Sequence, residues 1–258
     1  LDVGRWAVAA RRLEPILAVD DATPGGRGET DGGHARGPAV GVVFDGVTVV
    51  EPGAEVARLS DITMTLKPGS TTALVGPSGA GKSTLIALAA GTLRPTGGAV
   101  RFIGEDDTPA CPRIGWLGQR TELFRGPVAE NLRLARFDAD DESLRAALIK
   151  ARLWDALGPD GLGRRLGDEG SGLSGGERRR LALARTMLQD PELVLVDEPT
   201  EGLDEATAAE VFDTLLAWAD GRTLVFATHR PREAARADRV LTIVDGRLAK
   251  DAAPHLIA

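Results

Sequence analysis

The stretch Thr72-Ala-Leu-Val-Gly-Pro-Ser-Gly-Ala-Gly-Lys-Ser83 decides the fold. Residues 72–75 form a short apolar strand, and Gly76-Pro-Ser-Gly-Ala-Gly-Lys82-Ser83 follows it with the phosphate-loop spacing G-x-x-x-x-G-K-[ST]. Small residues at these positions let successive backbone N–H groups turn inward and form a concave nest around an anion. A helix opening near Lys82 adds its positive end, worth ~0.5 of an elementary charge. The plainer reading, a glycine turn that matches by accident, gives no reason for a strand on one side and a helix on the other.

Working outward, β-branched runs bounded by turn residues occur at 40–44, 47–50 and 62–66 before the loop. Strands return after it at 193–196, 223–227 and 240–244. Between them, from about 120 to 172, the spacing is helical, with Asp140 or Asp141 as a cap and Leu144, Ala147, Leu148 and Ala151 on one face. Strands alternating with helices predict an α/β fold. The class expected is a P-loop NTPase (RecA-like) core with an antiparallel β subdomain and an inserted α-helical subdomain at about 120–183.

A phosphate site of this kind needs an acidic residue at the end of a buried strand, and Leu193-Val-Leu-Val-Asp197 supplies one, with Glu198 next. Lys82 would neutralise the β- and γ-phosphates of a bound nucleotide. Ser83 and Asp197 are candidate Mg2+ ligands, and Glu198 is the candidate group that orients and polarises an attacking water. A strand-end Asp-Glu pair before Pro199 could simply cap a helix, but not beside a phosphate loop.

Residues 20–38 are rich in Gly, Asp and Thr and predict a flexible linker. The stretch at 6–17 before it looks helical despite Pro15, which divides the chain into 1–38 and 39–258. His34 and His255 are expected to be solvated. The 258 residues carry a net charge of -7, which argues against nucleic acid as a partner. The single cysteine, Cys111, excludes an internal disulfide. No run approaches the ~20 apolar residues of a membrane span. The chain starts at Leu1 rather than Met, the expected mark of a piece of a longer protein.

Leu173-Ser-Gly-Gly-Glu177 resembles the signature motif of ABC ATPases. Ser174 and Glu177 have capping-box spacing before an amphipathic stretch through Leu188, so a helix should begin there. Gly175 and Gly176 leave amides free to meet an anion. With one phosphate loop already present, this second anion-binding tip belongs to a partner's nucleotide. The resemblance spans roughly 40–248 and implies ATP and Mg2+ as the bound species. It implies ATP contacts from Gly76, Pro77, Ser78, Gly79, Ala80, Gly81, Lys82, Ser83 and Thr84, and contacts to the partner's ATP from Ser174, Gly175 and Gly176. Gln119 occupies the position that senses Mg2+ and γ-phosphate. Asp204, in Gly202-Leu203-Asp204, sits where the family's chain crosses the dimer interface. His229 resembles the switch histidine that contacts the γ-phosphate. Glu198, His229 and Gln119 are thus the expected catalytic set, and Ser83, Gln119 and Asp197 the metal set.

One departure stands out. The family commonly stacks an aromatic residue on adenine, and the segment Phe44-Asp-Gly-Val-Thr-Val-Val-Glu-Pro52 puts Glu51 at that position in a chain with no tyrosine. Adenine stacking should be weaker or supplied differently.

Two further segments are similar to exporters of this family: 119–132, with its Leu-Phe, Gly and Asn-Leu, and Gly167-Asp-Glu-Gly170 just before the signature. Ala10-Arg-Arg-Leu-Glu14 looks like the end of a last transmembrane helix. Leu166-Gly-Asp-Glu-Gly170, the Glu-Arg-Arg after the signature glycines, and Asp197-Glu-Pro-Thr-Glu-Gly-Leu-Asp204 resemble the C-subunit of the heterodimeric thiol-reductant exporters. That resemblance implies cysteine, glutathione or heme as cargo, although siderophore, lipid and peptide exporters share much of the same wording. The expected partners are a second ABC ATPase domain in a heterodimer and the transmembrane domains, at the cytoplasmic face of the cell (inner) membrane. A soluble ABC ATPase acting on DNA or ribosomes would carry long coiled-coil or basic insertions, or a second cassette. A regulatory half that barely hydrolyses would not need both Glu198 and His229.

Overall fold

The computed structural model describes residues 38–54 and 56–252. The helix expected at 6–17, the linker through residue 37, His34 and His255 lie outside the described residues. Among those described, no helix is long and apolar enough to cross a membrane.

Two sheets carry the fold. In the first, β2 (Leu59–Leu66), β1 (Gly41–Val49) and β4 (Gly97–Ile103) pair antiparallel in the order β2-β1-β4. The runs at 40–44 and 47–50 are one strand. Its register shifts between Phe44 and Val47, around Gly46 with φ of 58°. Strict alternation would send Phe44 and Val47, three residues apart, to opposite faces, yet both are fully buried because the extra residue turns the strand between them.

The second sheet has the order β11-β10-β3-β9-β8-β5, built from β3 (Thr71–Val75), β5 (Ile114–Leu117), β8 (Leu193–Asp197), β9 (Thr223–Ala227), β10 (Arg239–Val244) and β11 (Arg247–Ala252). Its strands are parallel except for β11, which pairs antiparallel with β10 at the edge. Every residue of β8 and β9 is buried, as expected of parallel strands covered on both faces. Alternate side chains serve different cores. Leu193 and Leu195 pack with Leu85 and Ile86 of α1 (Lys82–Ala89) and with Phe44 and Ile62 of the antiparallel sheet. Val194 and Val196 face the other way, toward the helices.

The helical insertion comprises α2 (Val128–Arg133), α3 (Asp141–Lys150) and α4 (Gly175–Leu188), with a two-strand pairing of β6 (Gly126–Pro127) and β7 (Arg165–Leu166). Of the two candidate caps for α3, Asp140 is the one used: its carboxylate accepts the Ser143 N–H at 2.8 Å. Leu144, Ala147, Leu148 and Ala151 are all buried on one face. Two further helices, α5 (Glu205–Ala219) and α6 (Pro231–Ala234), follow β8 and β9.

Candidate functional site

The register of the parallel strands assembles the site. Leu74 of β3 and Asp197 of β8 both sit opposite Ala227 of β9, so three strand ends release their loops side by side. Leu117 of β5 lies opposite Val196 and brings Gly118 and Gln119 to the same edge. Ligands in open α/β sheets bind at this carboxyl edge, where loops diverge.

The phosphate loop needs glycine where the backbone says so. Gly76 has φ of 145°, and a Cβ there would collide with the Ile243 carbonyl oxygen. Gly81 has φ of 108°, and its Cβ would come within 2.6 Å of Leu59 Cδ2. Gly81 also stands at the N-terminus of α1 without a side-chain cap, so the first-turn amides of that helix lie beyond intrahelical acceptors. Lys82 is buried, and its ammonium donates to the carbonyls of Gly76 and Pro77, both at 2.9 Å. An ammonium has three donors, so one remains for a phosphate oxygen.

A recess of about 280 Å3 is lined by Ser78, Gly79, Gly81, Lys82, Ser83 and Thr84 from this loop, with Arg58, Gln119, Asp197 and Glu198 around it. Gly76, Pro77 and Ala80 do not line the recess: the first two accept from Lys82, and Ala80 is buried. Glu198 has φ of 49°, a left-handed conformation uncommon outside glycine, and its N–H donates to Ala227 O at 3.0 Å. Its carboxylate is 2.8 Å from His229 Nδ1. Burial pushes the Glu198 carboxyl above the ordinary range, while His229 and Lys82 pull it back. His229 therefore meets the recess through Glu198; its ring otherwise lies beside a separate cavity along α5 and α6.

Three hard oxygen donors, the Ser83 hydroxyl, the Gln119 amide and the Asp197 carboxylate, border one recess. Among the described residues there is no cluster of three or more His, Cys, Asp or Glu that could cage a metal alone. That donor set suits Mg2+, which takes one or two protein carboxylates or fewer and completes its shell with water and substrate phosphates.

The signature segment has the local structure its spacing predicts. Ser174 Oγ accepts the Glu177 N–H at 3.2 Å and Glu177 Oε2 accepts the Ser174 N–H at 2.7 Å, a capping box at the start of α4. Within this chain, Ser174, Gly175 and Gly176 do not line the phosphate recess; Gly175 borders another cavity, with Gln119 and Leu203. Asp204 is also outside the recess, and its carboxylate caps α5 by accepting the Thr207 N–H at 3.0 Å.

Sequence reasoning missed Arg179. Its side chain, 4% exposed, spends five N–H donors on five carbonyls: Pro199 at 2.7 Å, Gly118 at 2.6 Å, Gln119 at 3.4 Å, Asp197 at 3.0 Å and Glu198 at 2.9 Å. One residue of α4 is thereby tied to Gln119 and to both acids. Burial lowers its pKa to about 10 against the opposing pull of Asp197, Glu201, Glu233 and Glu198, so it stays charged at neutral pH. Glu233 was also missed. Buried in α6, it accepts hydroxyl protons from Thr200 and from Thr228, the latter at 2.6 Å, joining the loop after Glu198 to the one that carries His229. An Arg in a charged run and a Glu in a short helix give no sequence signal; only burial marks them.

The family model for ABC transporters matches residues 59–201. The mycobactin import ATP-binding/permease protein IrtB of Mycolicibacterium thermoresistibile is 39% identical over 250 residues, covering 93% of this chain and 42% of that protein. IrtA of the same organism is 39% identical over 257 residues, covering 93% of this chain and 28% of that protein. The chain thus spans less than half the length of these relatives. A solved structure of a bacterial Atm1-family ABC exporter with ATP bound superposes with a TM-score of 0.75 at 30% identity, over 85% of this chain and 41% of that one. The matched family model covers the phosphate loop, the signature helix and the strand-end acids alike, and the chain belongs to the ABC transporter family as its ATP-binding ATPase domain.

Proposed function

We propose that this chain binds and hydrolyses ATP as one half of a head-to-tail pair of ATPase domains and so powers transport through membrane-spanning partners. The observation that carries the reading is the convergence of Lys82, Ser83, Gln119, Asp197 and Glu198 on one recess at the carboxyl edge of the sheet. The amides of the loop residues that line the recess, Ser78, Gly79, Gly81, Ser83 and Thr84, together with Lys82, hold the phosphates. Glu198 orients the attacking water, and its raised pKa moves it toward the range a general base needs. His229, bonded to Glu198, fixes that carboxylate and reaches the γ-phosphate when the site closes. Ser83, Gln119 and Asp197 would hold Mg2+, which supplies charge neutralisation at the phosphate oxygens.

The second anion-binding tip, Ser174 with Gly175 and Gly176, lies off this chain's own recess, as it should if it serves the partner's ATP. Asp204 then belongs to the surface between the two halves. Closure of such a sandwich excludes water, so the fixed positive groups act on the γ-phosphate in a lower dielectric. Hydrolysis removes the bridging contacts, and the membrane domains follow the opening through the Gln119 region. The working location is the cytoplasmic face of the cell membrane, with residues 1–38 leading from a membrane domain into the ATPase domain at 39–258.

For the cargo, the segments at 166–170 and 197–204 support export of a thiol compound or heme by a heterodimer. The 39% likeness to IrtB and IrtA favours a second reading, a siderophore, and agrees with two unlike halves. Transport assays with the assembled transporter in vesicles separate the two: ATP-dependent movement of glutathione supports the first, and of a ferric siderophore the second. Glu198→Gln tests the shared core. ATP binding should persist while hydrolysis falls at least ~100-fold; unchanged turnover in the assembled transporter rejects the role given to Glu198.

A further inference from the structure

The recess that takes the phosphates opens beside a second one, of about 420 Å3, lined by Glu51, Val56, Arg58, Gly79 and Asp245 among others. The two share Arg58 and Gly79. A nucleotide whose phosphates occupy the first must place its ribose and base in space continuous with it. No tyrosine exists in the chain to meet a base, and Glu51 stands where the sequence reading looks for an aromatic ring.

Arg58 is built for that place. Its backbone is wedged against the phosphate loop: a Cβ on Gly81 would sit 3.1 Å from Arg58 O, and one on Gly246 only 2.6 Å from it. The Arg58 N–H donates to Val49 O at 2.7 Å, and Gly246 N donates to Ala80 O at 3.2 Å, closing the unit. The side chain is directed by Glu51, whose Oε1 accepts from Nε at 3.1 Å and from one terminal nitrogen at 2.8 Å. Two bonds to one carboxylate oxygen hold the guanidinium, and the Arg58 side chain stays 44% exposed. Val56, 80% exposed, offers an apolar contact at the same recess. Above Gly79 an added Cβ would meet nothing within 4 Å, so the floor between the two recesses is open.

We infer that the Arg58 guanidinium, held by Glu51, is the platform on which the purine base of the nucleotide stacks, in place of an aromatic ring. A planar, weakly hydrated cation lies face-on against a π-system, and at a partly exposed site such a contact is worth a modest factor in affinity. Glu51 is a positioning residue here; Arg58 and Val56 touch the base. The inference rests on the nucleotide reading of the phosphate recess.

The test uses the assembled transporter in the Glu198→Gln background, with the partner's own phosphate loop disabled so that only this chain's site loads. ATP and inorganic tripolyphosphate are titrated in parallel. Arg58→Ala should weaken ATP by about two- to five-fold and leave tripolyphosphate unchanged. Arg58→Trp, which restores a flat π-surface, should bind ATP at least as tightly as the unsubstituted chain. Equal losses for both ligands in Arg58→Ala would show a phosphate contact and overturn the proposal, as would an ATP affinity that does not change. Failure of the unsubstituted site to bind either ligand overturns the nucleotide reading beneath it.

Discussion

In the proposed reaction Glu198 orients the attacking water, and its environment sets its pH behaviour. Burial raises its folded pKa, so the carboxylate is present only above that raised value and is lost as pH falls through it. His229 opposes the shift by charge and by hydrogen bonding. His229→Ala should therefore raise the Glu198 pKa further and move the acid limb of kcat to higher pH, besides lowering the maximum. A pH–rate profile of the assembled transporter checks this; an acid limb that stays in place, or moves down, contradicts the coupling. Glu198 was visible in the sequence as the acid next to a strand-end Asp beside a phosphate loop, and His229 only through its resemblance to the family's switch histidine. The sequence could not show that they touch, since the 2.8 Å contact depends on the parallel pairing of β8 with β9. Nor could it show the left-handed backbone of Glu198, which neighbouring strands, Arg179 and the Thr200–Glu233–Thr228 chain hold in place.

At the scale of elements, α4 matters twice. Its tip is the capped Ser174–Gly176 segment, and one turn later Arg179 grips the carbonyls beside Gln119, Asp197 and Glu198. A movement of α4 cannot leave the strand-end acids untouched, which gives the signature helix a direct mechanical line to its own chain's site. Arg179→Met strips five carbonyls of their donors, and should lower unfolding free energy by about 3 kcal/mol or more. If Arg179 also positions the acids, Arg179→Lys, assayed well below its melting temperature, should cut kcat while KM for ATP stays near that of the unsubstituted protein. A purely structural role would leave kcat intact in the folded fraction. Ser174→Ala removes the N-cap and should cost about 1 kcal/mol of stability, measured by chemical denaturation. Elements with strong patterning were legible: β8, β9, the phosphate loop with α1, and the face of α3. Those that were missed lack it. β4 opens with Gly97 and Gly98, β5 has only four residues, and β11 is largely exposed and polar, so their existence depends on the strands they pair with.

On the scale of the whole molecule, the phosphate loop and the signature tip of one chain do not meet in one recess. That separation is the strongest structural reason to expect two halves, each completing the other's site. It also explains why Asp204 looks idle as a ligand in a single copy: its carboxylate is spent capping α5, and whatever it does across an interface requires the second copy. The most direct test takes an assembly whose two halves differ in mass, with Ser174→Arg in one half only, photolabelled with azido-ATP under conditions that trap the nucleotide. The account predicts that the substituted half keeps label at its own phosphate loop while trapping at the opposite half's loop is lost. Loss of label from the substituted half, with the opposite half unaffected, would contradict it.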